Sequence, residues 1–417
     1  MGKKYIKKKY PLDMSGAIHL ASMTKRYSNF FRMTLTLNED IIPEILQVAF
    51  DRVAPRFPTI VAGVRMGFFN FYLKPVEQAP LVKKDEEILP VMTKKMIREC
   101  AMQVLYKENK LSIEVFHTLT DGTGGKVFLY SLLAEYLKLT HDLDISYSEG
   151  ILDPNEVVKE EEVVDDYVTY AGKKGTTTNR KSAFQLPNFK VKKDSEKKHI
   201  ISKSLHIQDV LEAAKKNGVS LTAFMTAVMA DSILQIQKKH DKKNKPVQIM
   251  VPVNLRSRFE SSTLYNFSLC VLAKVKHSER NKGFEKFAKG LAEQIKKQSS
   301  ADNLRGLMTM NTKTQKSIFF KMQPLPIKIA LWKLVYALYG ERNSCISISN
   351  MGEFVFPKEV APFVKKVDCI LSPRRNSPYN FGIVSYNGKL HINISRNGSG
   401  CGLEEVFYKK LEERCYI

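Results

Sequence analysis

Acidic side chains are in short supply in this chain. Across 417 residues, 43 Asp and Glu stand against 66 Lys and Arg, a formal net charge of +23. Long apolar runs are also missing. The most apolar long stretch, Ile318 to Gly340, is interrupted by Lys321, Pro324, Pro326, Lys328 and Lys333, whereas a membrane span needs about 20 apolar residues in a row. The basic start, Met1 to Pro11, has no apolar run behind it and does not read as a signal peptide. Ile6 stands where a myristoylation signal needs Ser or Thr. A cytoplasmic protein is expected. The six cysteines, Cys100, Cys270, Cys345, Cys369, Cys401 and Cys415, include no CxxC pair, which excludes a zinc ribbon and a disulfide framework. The eight histidines have no i,i+4 partners, so no metal is expected. The lysine clusters at Lys3–Lys9, Lys190–Lys198 and Lys238–Lys245 lack interleaved aromatics, and no zinc-finger or RRM signature is present. Nucleic acid is therefore not an expected partner, and most of the excess charge reads as a solvated face.

What is present is ordinary globular material, 43% apolar and 26% charged. One core organises only roughly 250–300 residues, so two or three domains are expected. Periodicity alternates between strands and helices. A strand at Phe31–Leu37 precedes a helix with Ile41, Ile42, Ile45, Leu46, Ala49, Phe50 and Val53 on one face. Strand-like runs follow at Ile60–Val64, Phe68–Leu73, Arg98–Tyr106 and Leu111–His117, then a helix from Lys126 to Leu139. The pattern lapses from Asp153 to Lys198, a length that reads as an interdomain crossover. It resumes with a strand at Ile200–Leu205 and helices at Ile207–Asn217 and Leu221–Gln237. Strands are expected at Val247–Val253, Tyr265–Val275, Cys345–Ser349, Lys365–Leu371, Tyr379–Tyr386 and Lys389–Ile394. Helices are expected at Gly283–Lys297, Ser317–Tyr339 and Gly402–Glu413. Asn387-Gly388 is a hairpin turn signal. The organisation is a first half over 1–152, a crossover over 153–198 and a second half over 199–417.

Phosphate-loop patterns fail at Thr120–Val127, because Val127 replaces the required Ser/Thr and Thr120 the first Gly. What remains is Phe116-His117-Thr-Leu-Thr-Asp121-Gly122-Thr-Gly124-Gly125. A histidine ends an apolar strand face, an aspartate follows four residues later, and glycines open a helix. A histidine that abstracts a proton must be neutral at one ring nitrogen and held in a fixed tautomer. Gly122 permits a tight turn and close approach of a ligand. A lone histidine on an apolar face also serves simply as a core residue, and Asp121 is well placed as an N-cap.

The HxxxDG run from His117 to Gly122 resembles the signature of the CoA-dependent acyltransferase superfamily, which includes chloramphenicol acetyltransferase, the BAHD enzymes, wax ester synthases, alcohol acetyltransferases and condensation domains. Three further segments are similar in order: Tyr10-Pro-Leu-Asp13, Val251-Pro-Val-Asn-Leu-Arg256 with Asn266-Phe267, and Ser347-Ile-Ser-Asn350-Met-Gly352. The alcohol acetyltransferase branch looks nearest. Phe116 stands where condensation domains usually carry a first histidine, although several branches keep only the second. The resemblance implies an α/β fold of two chloramphenicol-acetyltransferase-like sandwich halves with a solvent channel between them. It implies His117 as general base on a hydroxyl acceptor attacking an acyl thioester. It also implies Asp121 braced by an arginine, here Arg256, with Asn266 ordering the adjoining strand and loop. Ser349, Asn350 and Asn254 are candidates for binding the oxyanion or substrate, with the Gly122 N–H as an alternative.

The donor so implied is acyl-CoA, with no resident cofactor, and the acceptor an alcohol. The helices around Ile318–Tyr339 are candidates for lining the acceptor side. A monomer is expected, since tandem halves build the interdomain site within one chain. An alternative keeps the fold and takes the acyl group from phosphopantetheine on an acidic acyl carrier protein, which +23 would steer, forming an ester or amide. A second alternative is a non-catalytic basic protein binding membrane or nucleic acid. Peripheral contact with the inner membrane surface would use the basic N-terminus.

Overall fold

A computed structural model describes residues 8–24, 29–87, 89, 92–148, 150–172, 174, 182–187, 198–240, 245–275, 279, 283–336, 343–374 and 377–416. The N-terminal arm up to residue 7, most of the Lys190–Lys198 run, and Lys242 and Lys243 lie outside the described residues. Two α/β halves are built on two sheets. The first has five strands in the spatial order Val364–Leu371, Phe30–Leu37, Lys110–Phe116, Met102–Lys107 and Lys83–Lys84. The second has six, in the order Ser268–Val275, Val247–Asn254, Ile346–Glu353, Tyr379–Tyr386, Lys389–Asn397 and Lys198–His206. A small third sheet joins Tyr10–Pro11, Phe71–Pro75 and Ala62–Met66. Each large sheet has its own core. The halves are nevertheless not sequential packages, because Val364–Leu371 pairs antiparallel with Phe30–Leu37 and closes the first half's sheet.

The strand Lys110–Phe116 departs from the half-solvated face that its alternation suggests. Leu111, Ile113 and Val115 are buried, and so are Ser112 and Glu114 on the other face. That polar face is tolerated because every charge on it is met. Glu114 sits opposite Arg32 in the register and accepts from its Nε at 2.9 Å, while Arg32 Nη1 reaches Asp85 at 2.7 Å. Ser112 and Thr34 share a hydroxyl hydrogen bond of 2.8 Å. Burial of ions is tolerated only with such pairing.

Several elements differ from the sequence expectation. The strand run expected from Arg98 starts only at Met102, because Lys94–Glu99 form a helix; the run expected from Phe68 starts at Phe71; and the helix expected from Lys126 starts at Gly122, where Asp121 caps it. The expected helix over Ser317–Tyr339 is broken at Gln323-Pro324 into Ile318–Met322 and Leu325–Val335, as proline's missing N–H demands. A helix at Ala301–Lys316 was hidden by its Asn- and Thr-rich sequence. Its Leu304 and Met308 complete a small core with Met14, Tyr167, Leu255, Phe259 and Phe267. Within the crossover, Glu160–Val163 and Asp166–Thr169 form helical turns. There the buried Arg56 donates to both carboxylate oxygens of Glu162 at 2.6 and 2.7 Å, pinning the crossover to the first half. Arg56→Leu strands the buried Glu162 carboxylate, so urea unfolding is expected to show a loss of about 3–5 kcal/mol. An unchanged midpoint would mean that the pair does not hold the crossover.

Candidate active site

Asp121 is the N-cap of helix Gly122–His141. Its Oδ1 accepts from the N–H groups of Thr123 and Gly124 at 3.1 and 3.2 Å, as a capping aspartate does. Its Oδ2 looks the other way, into the second half. There it accepts from Arg256 Nη1 at 2.9 Å and from the Phe267 N–H at 2.8 Å. Arg256 is itself held by the carbonyls of Thr263 at 2.9 Å and Tyr265 at 2.6 Å, and by Asn254 Oδ1 at 3.3 Å. Burial alone would raise the Asp121 pKa, but the Arg256 charge and the hydrogen bonds outweigh it and hold the carboxyl below its usual range.

The glycines after Asp121 serve close approach. Gly122 has no left-handed φ, so the tight turn expected there is not its role. A Cβ on it would stand 2.6 Å from the thioether of Met351. A Cβ on Gly124 would stand 2.7 Å from the Leu264 carbonyl of the second half and still closer to the Thr120 hydroxyl. Thr120 donates to the same carbonyl at 2.6 Å.

His117 follows the last residue of strand Lys110–Phe116. Its N–H is held by the Asn29 carbonyl at 2.8 Å, while Phe116 turns inward against Phe30. His117 Nδ1 lies 3.0 Å from Asn266 Oδ1, and Asn266 Nδ2 donates to Asp13 Oδ2 at 3.1 Å. With the amide oriented this way, Asn266 accepts from an Nδ1–H tautomer and leaves the lone pair on Nε2. Burial lowers the His117 pKa below its ordinary value, only partly offset by the Asp121 charge and the Asn266 hydrogen bond. His19, from the helix Met14–Ala21, stacks on His117 with ring centroids 4.3 Å apart. Burial, then His117 and Arg374, hold His19 well below its usual pKa, so both rings are neutral near pH 7.

Neither Asp13 nor His19 was singled out as a site residue from sequence. Asp13 caps the helix Met14–Ala21 through Gly16 N at 2.7 Å. An aspartate followed by apolar positions at helical spacing was the available signal for it. Nothing in sequence spacing links His19 to His117. Burial first, and the neighbouring Asp165 second, raise Asp13 to about 8, and burial raises Asp165 to about 6.

A cavity of about 250 Å³ opens between the halves. His117, Asp121, Gly122, Asn254, Ser349 and Asn350 all line it. Arg256 and Asn266 stand behind this wall, touching Asp121 and His117. Asn350 is engaged at both ends, Nδ2 donating to Thr222 Oγ1 at 3.0 Å and Oδ1 accepting from Gly352 N at 2.9 Å. Asn254 Oδ1 is similarly occupied by the Arg256 N–H at 3.1 Å. Among the described residues the Ser349 hydroxyl meets only the Met351 sulfur, 4.0 Å away, and is the readier donor. Cys369 also lines the cavity, but burial pushes its thiol up to about 12, which keeps it protonated and a poor nucleophile. The helices Ile318–Met322 and Leu325–Val335, candidates for the acceptor wall, contribute nothing to this cavity; Ile329 and Lys333 line a separate one. Among the described residues no cluster of three or more His, Cys, Asp or Glu is placed to hold a metal.

No protein-family model and no curated protein sequence matches the chain. Solved structures do match over its whole length. TRI101 from F. sporotrichioides, crystallised with coenzyme A and T-2, is 12% identical with a TM-score of 0.65, covering 97% of each chain. Polyketide synthase associated protein 5 from Mycobacterium tuberculosis is 14% identical at 0.58, covering 99% of each. The starter condensation domain of rhizomide synthetase RzmA is 12% identical at 0.59, covering 98% of this chain and 95% of that one. The chain therefore shares the fold of these structures, two α/β lobes spanning nearly its whole length.

Asp121→Asn removes the charge that Arg256 pairs with. Because the Asp121 pKa is depressed on folding, its contribution is present above the ordinary aspartate range and is lost as pH falls through the folded pKa. The variant is expected to lose about 3–5 kcal/mol at pH 7, with the gap to wild type narrowing below pH ~4. Denaturant titrations at several pH values measure this. A gap independent of pH would show that the ion pair contributes nothing.

Proposed function

We propose that this protein is an acyltransferase that moves an acyl group from a CoA thioester to a hydroxyl acceptor, with His117 as general base. The observation that carries the reading is a neutral imidazole in an interdomain cavity, held by Asn266 with Nε2 left for proton transfer. Nε2 takes the hydroxyl proton as the oxygen attacks the thioester carbon. The resulting tetrahedral oxyanion accepts a hydrogen bond from Ser349. Collapse breaks the C–S bond, and the imidazolium returns its proton to the leaving thiolate. Asp121 and Arg256 act at one remove, since both Oδ atoms of Asp121 are occupied by the helix N-terminus and the second half. They hold the two walls of the cavity together. The shared fold with a structure crystallised with coenzyme A supports CoA as the donor.

Thiol release from acetyl-CoA and longer acyl-CoAs, measured with a panel of alcohols and amines, tests this. Release is expected to depend on an alcohol acceptor and to fall roughly 10²–10⁴-fold in His117→Ala. Equal release in both proteins, or none with any free acyl-CoA, would overturn the reading and direct the same assay to acyl carrier protein donors.

The wild-type pH profile is expected to rise along a limb whose midpoint lies below ~6.5, because burial disfavours the imidazolium. Asn266→Ala removes a bond that raises the His117 pKa. Its limb is expected to move further down, with a plateau rate lower by about tenfold, the value of one hydrogen bond. A limb at or above 6.5 in wild type would exclude His117 as the titrating group.

A further inference from the structure

Away from the cavity, the turn between strands Ala62–Met66 and Phe71–Pro75 is fastened to the helices Ile318–Met322 and Leu325–Val335. The Leu325 N–H donates to the Phe68 carbonyl at 2.9 Å. The buried Lys328 ammonium donates to the Phe69 carbonyl, Asn70 Oδ1 and the Lys321 carbonyl at 3.0 to 3.1 Å. Trp332 packs against Phe71 and Phe320, with ring centroids 6.5 and 5.8 Å away. This fastening leaves large apolar side chains facing water: Met66 is 65% exposed, Phe68 72%, Ile318 75%, Phe319 78% and Met322 68%. Exposed apolar side chains concentrated in this way mark an interaction surface.

The charge around them is mostly positive. From residue 303 to 340 the sequence has six Lys and Arg, of which Lys328 is buried, and no Asp or Glu; from 52 to 76 it has four and none, of which Arg56 is buried against Glu162 while Arg52 and Lys74 pair with Glu135 and Glu77. Lys321 and Lys333 are exposed on the two helices. Beside them lies an apolar-floored cavity of about 590 Å³, with Arg65, Lys94, Arg98 and Lys333 among its lining. The helix Met14–Ala21 and its C-terminal side separate the two cavities. Leu20 and Ala21 face this one, while Ser15 and His19 face the cavity of His117.

We propose that this surface docks on an anionic lipid bilayer, with the Phe68 turn and the Phe319 helix at the acyl boundary and the lysines and arginines at the phosphates. Apolar and aromatic groups flanked by cations are the pattern that settles in the headgroup region. The apolar groups protrude from a turn and from a short helix, a shape that a fluid bilayer accepts without a complementary hollow. Among the described residues no single helix is long and apolar enough to cross a bilayer. Docking in this way is independent of the chemistry at His117.

Trp332 is the single tryptophan of the chain and sits within the surface, so it reports contact directly. The full chain is mixed with phosphatidylcholine vesicles, with or without phosphatidylglycerol, and with the same vesicles carrying brominated phosphatidylcholine. Co-sedimentation with the phosphatidylglycerol vesicles only, a blue shift of Trp332 emission and quenching by bromine are expected. Phe68→Ser combined with Phe319→Ser is expected to weaken partitioning by about tenfold or more. Lys321→Glu combined with Lys333→Glu is expected to do so most strongly at low salt. All four positions are exposed, so unchanged thermal melting separates lost docking from lost folding. Absence of vesicle binding overturns the proposal, as does binding that survives both double variants. So does binding with Trp332 unquenched, which would place the contact elsewhere, as on the basic N-terminal arm. Capture of an acidic carrier protein by this surface, or self-association through it, without vesicle binding would equally overturn it.

Discussion

Asp121 brings a full negative charge to a nearly water-free place between the two halves. It is met there by the Arg256 guanidinium and by backbone N–H groups of Thr123, Gly124 and Phe267. Two donors belong to the helix that Asp121 itself caps, and two belong to the second half. Neither half satisfies the carboxylate alone. Leaving such a charge partly unmet costs several kcal/mol, so the approach of the halves is set at this point to within hydrogen-bond tolerance. Gly124, which lets the Leu264 carbonyl lie against the start of the helix, is part of the same condition.

The state of His117 follows from that approach. The segment Thr263–Phe267 supplies two carbonyls to Arg256, a backbone N–H to Asp121 and the Asn266 amide to His117. The ion pair and the tautomer are thereby set by one short piece of chain. Asp13 then orients Asn266 from the far side, and the N-terminal segment joins the site through the same helix that brings His19 onto the imidazole. Burial keeps both rings neutral. Proton abstraction is the chemistry open to such a histidine, and electrostatic attraction as a cation is not.

The excess positive charge has no single location. Some cations are satisfied inside the fold, as Arg56 by Glu162 and Arg32 by Asp85 and Glu114. Lys328 is buried among oxygen acceptors and draws a hairpin onto two short helices. Others are exposed beside apolar side chains at that junction. The same residue type thus fastens the interior and marks a surface, and the distinction rests on whether an acceptor stands within reach.

Much of this was legible in the chain before any coordinates. Alternation, helical spacing and the Asn387-Gly388 turn located most strands and helices, because side-chain period is a local property. The His117-to-Gly122 run pointed to its strand end and helix start for the same reason, and the ordered segments around Arg256, Asn266 and Asn350 indicated which second-half residues to expect nearby. Local pattern was silent where a residue's environment comes from elsewhere. It did not show that Val364–Leu371 crosses to the first half's sheet, that Glu162 in an apparent linker is buried against Arg56, or that Ile318–Met322 faces water. Nor did it show that Asn266 bonds His117 directly, or that His19 stacks on it. The sequence by itself determined the α/β class, the two halves and the small set of residues able to do chemistry. Only the tertiary structure decided which of them meet and in what protonation state, because burial and hydrogen-bond partners are created by segments far apart in the chain.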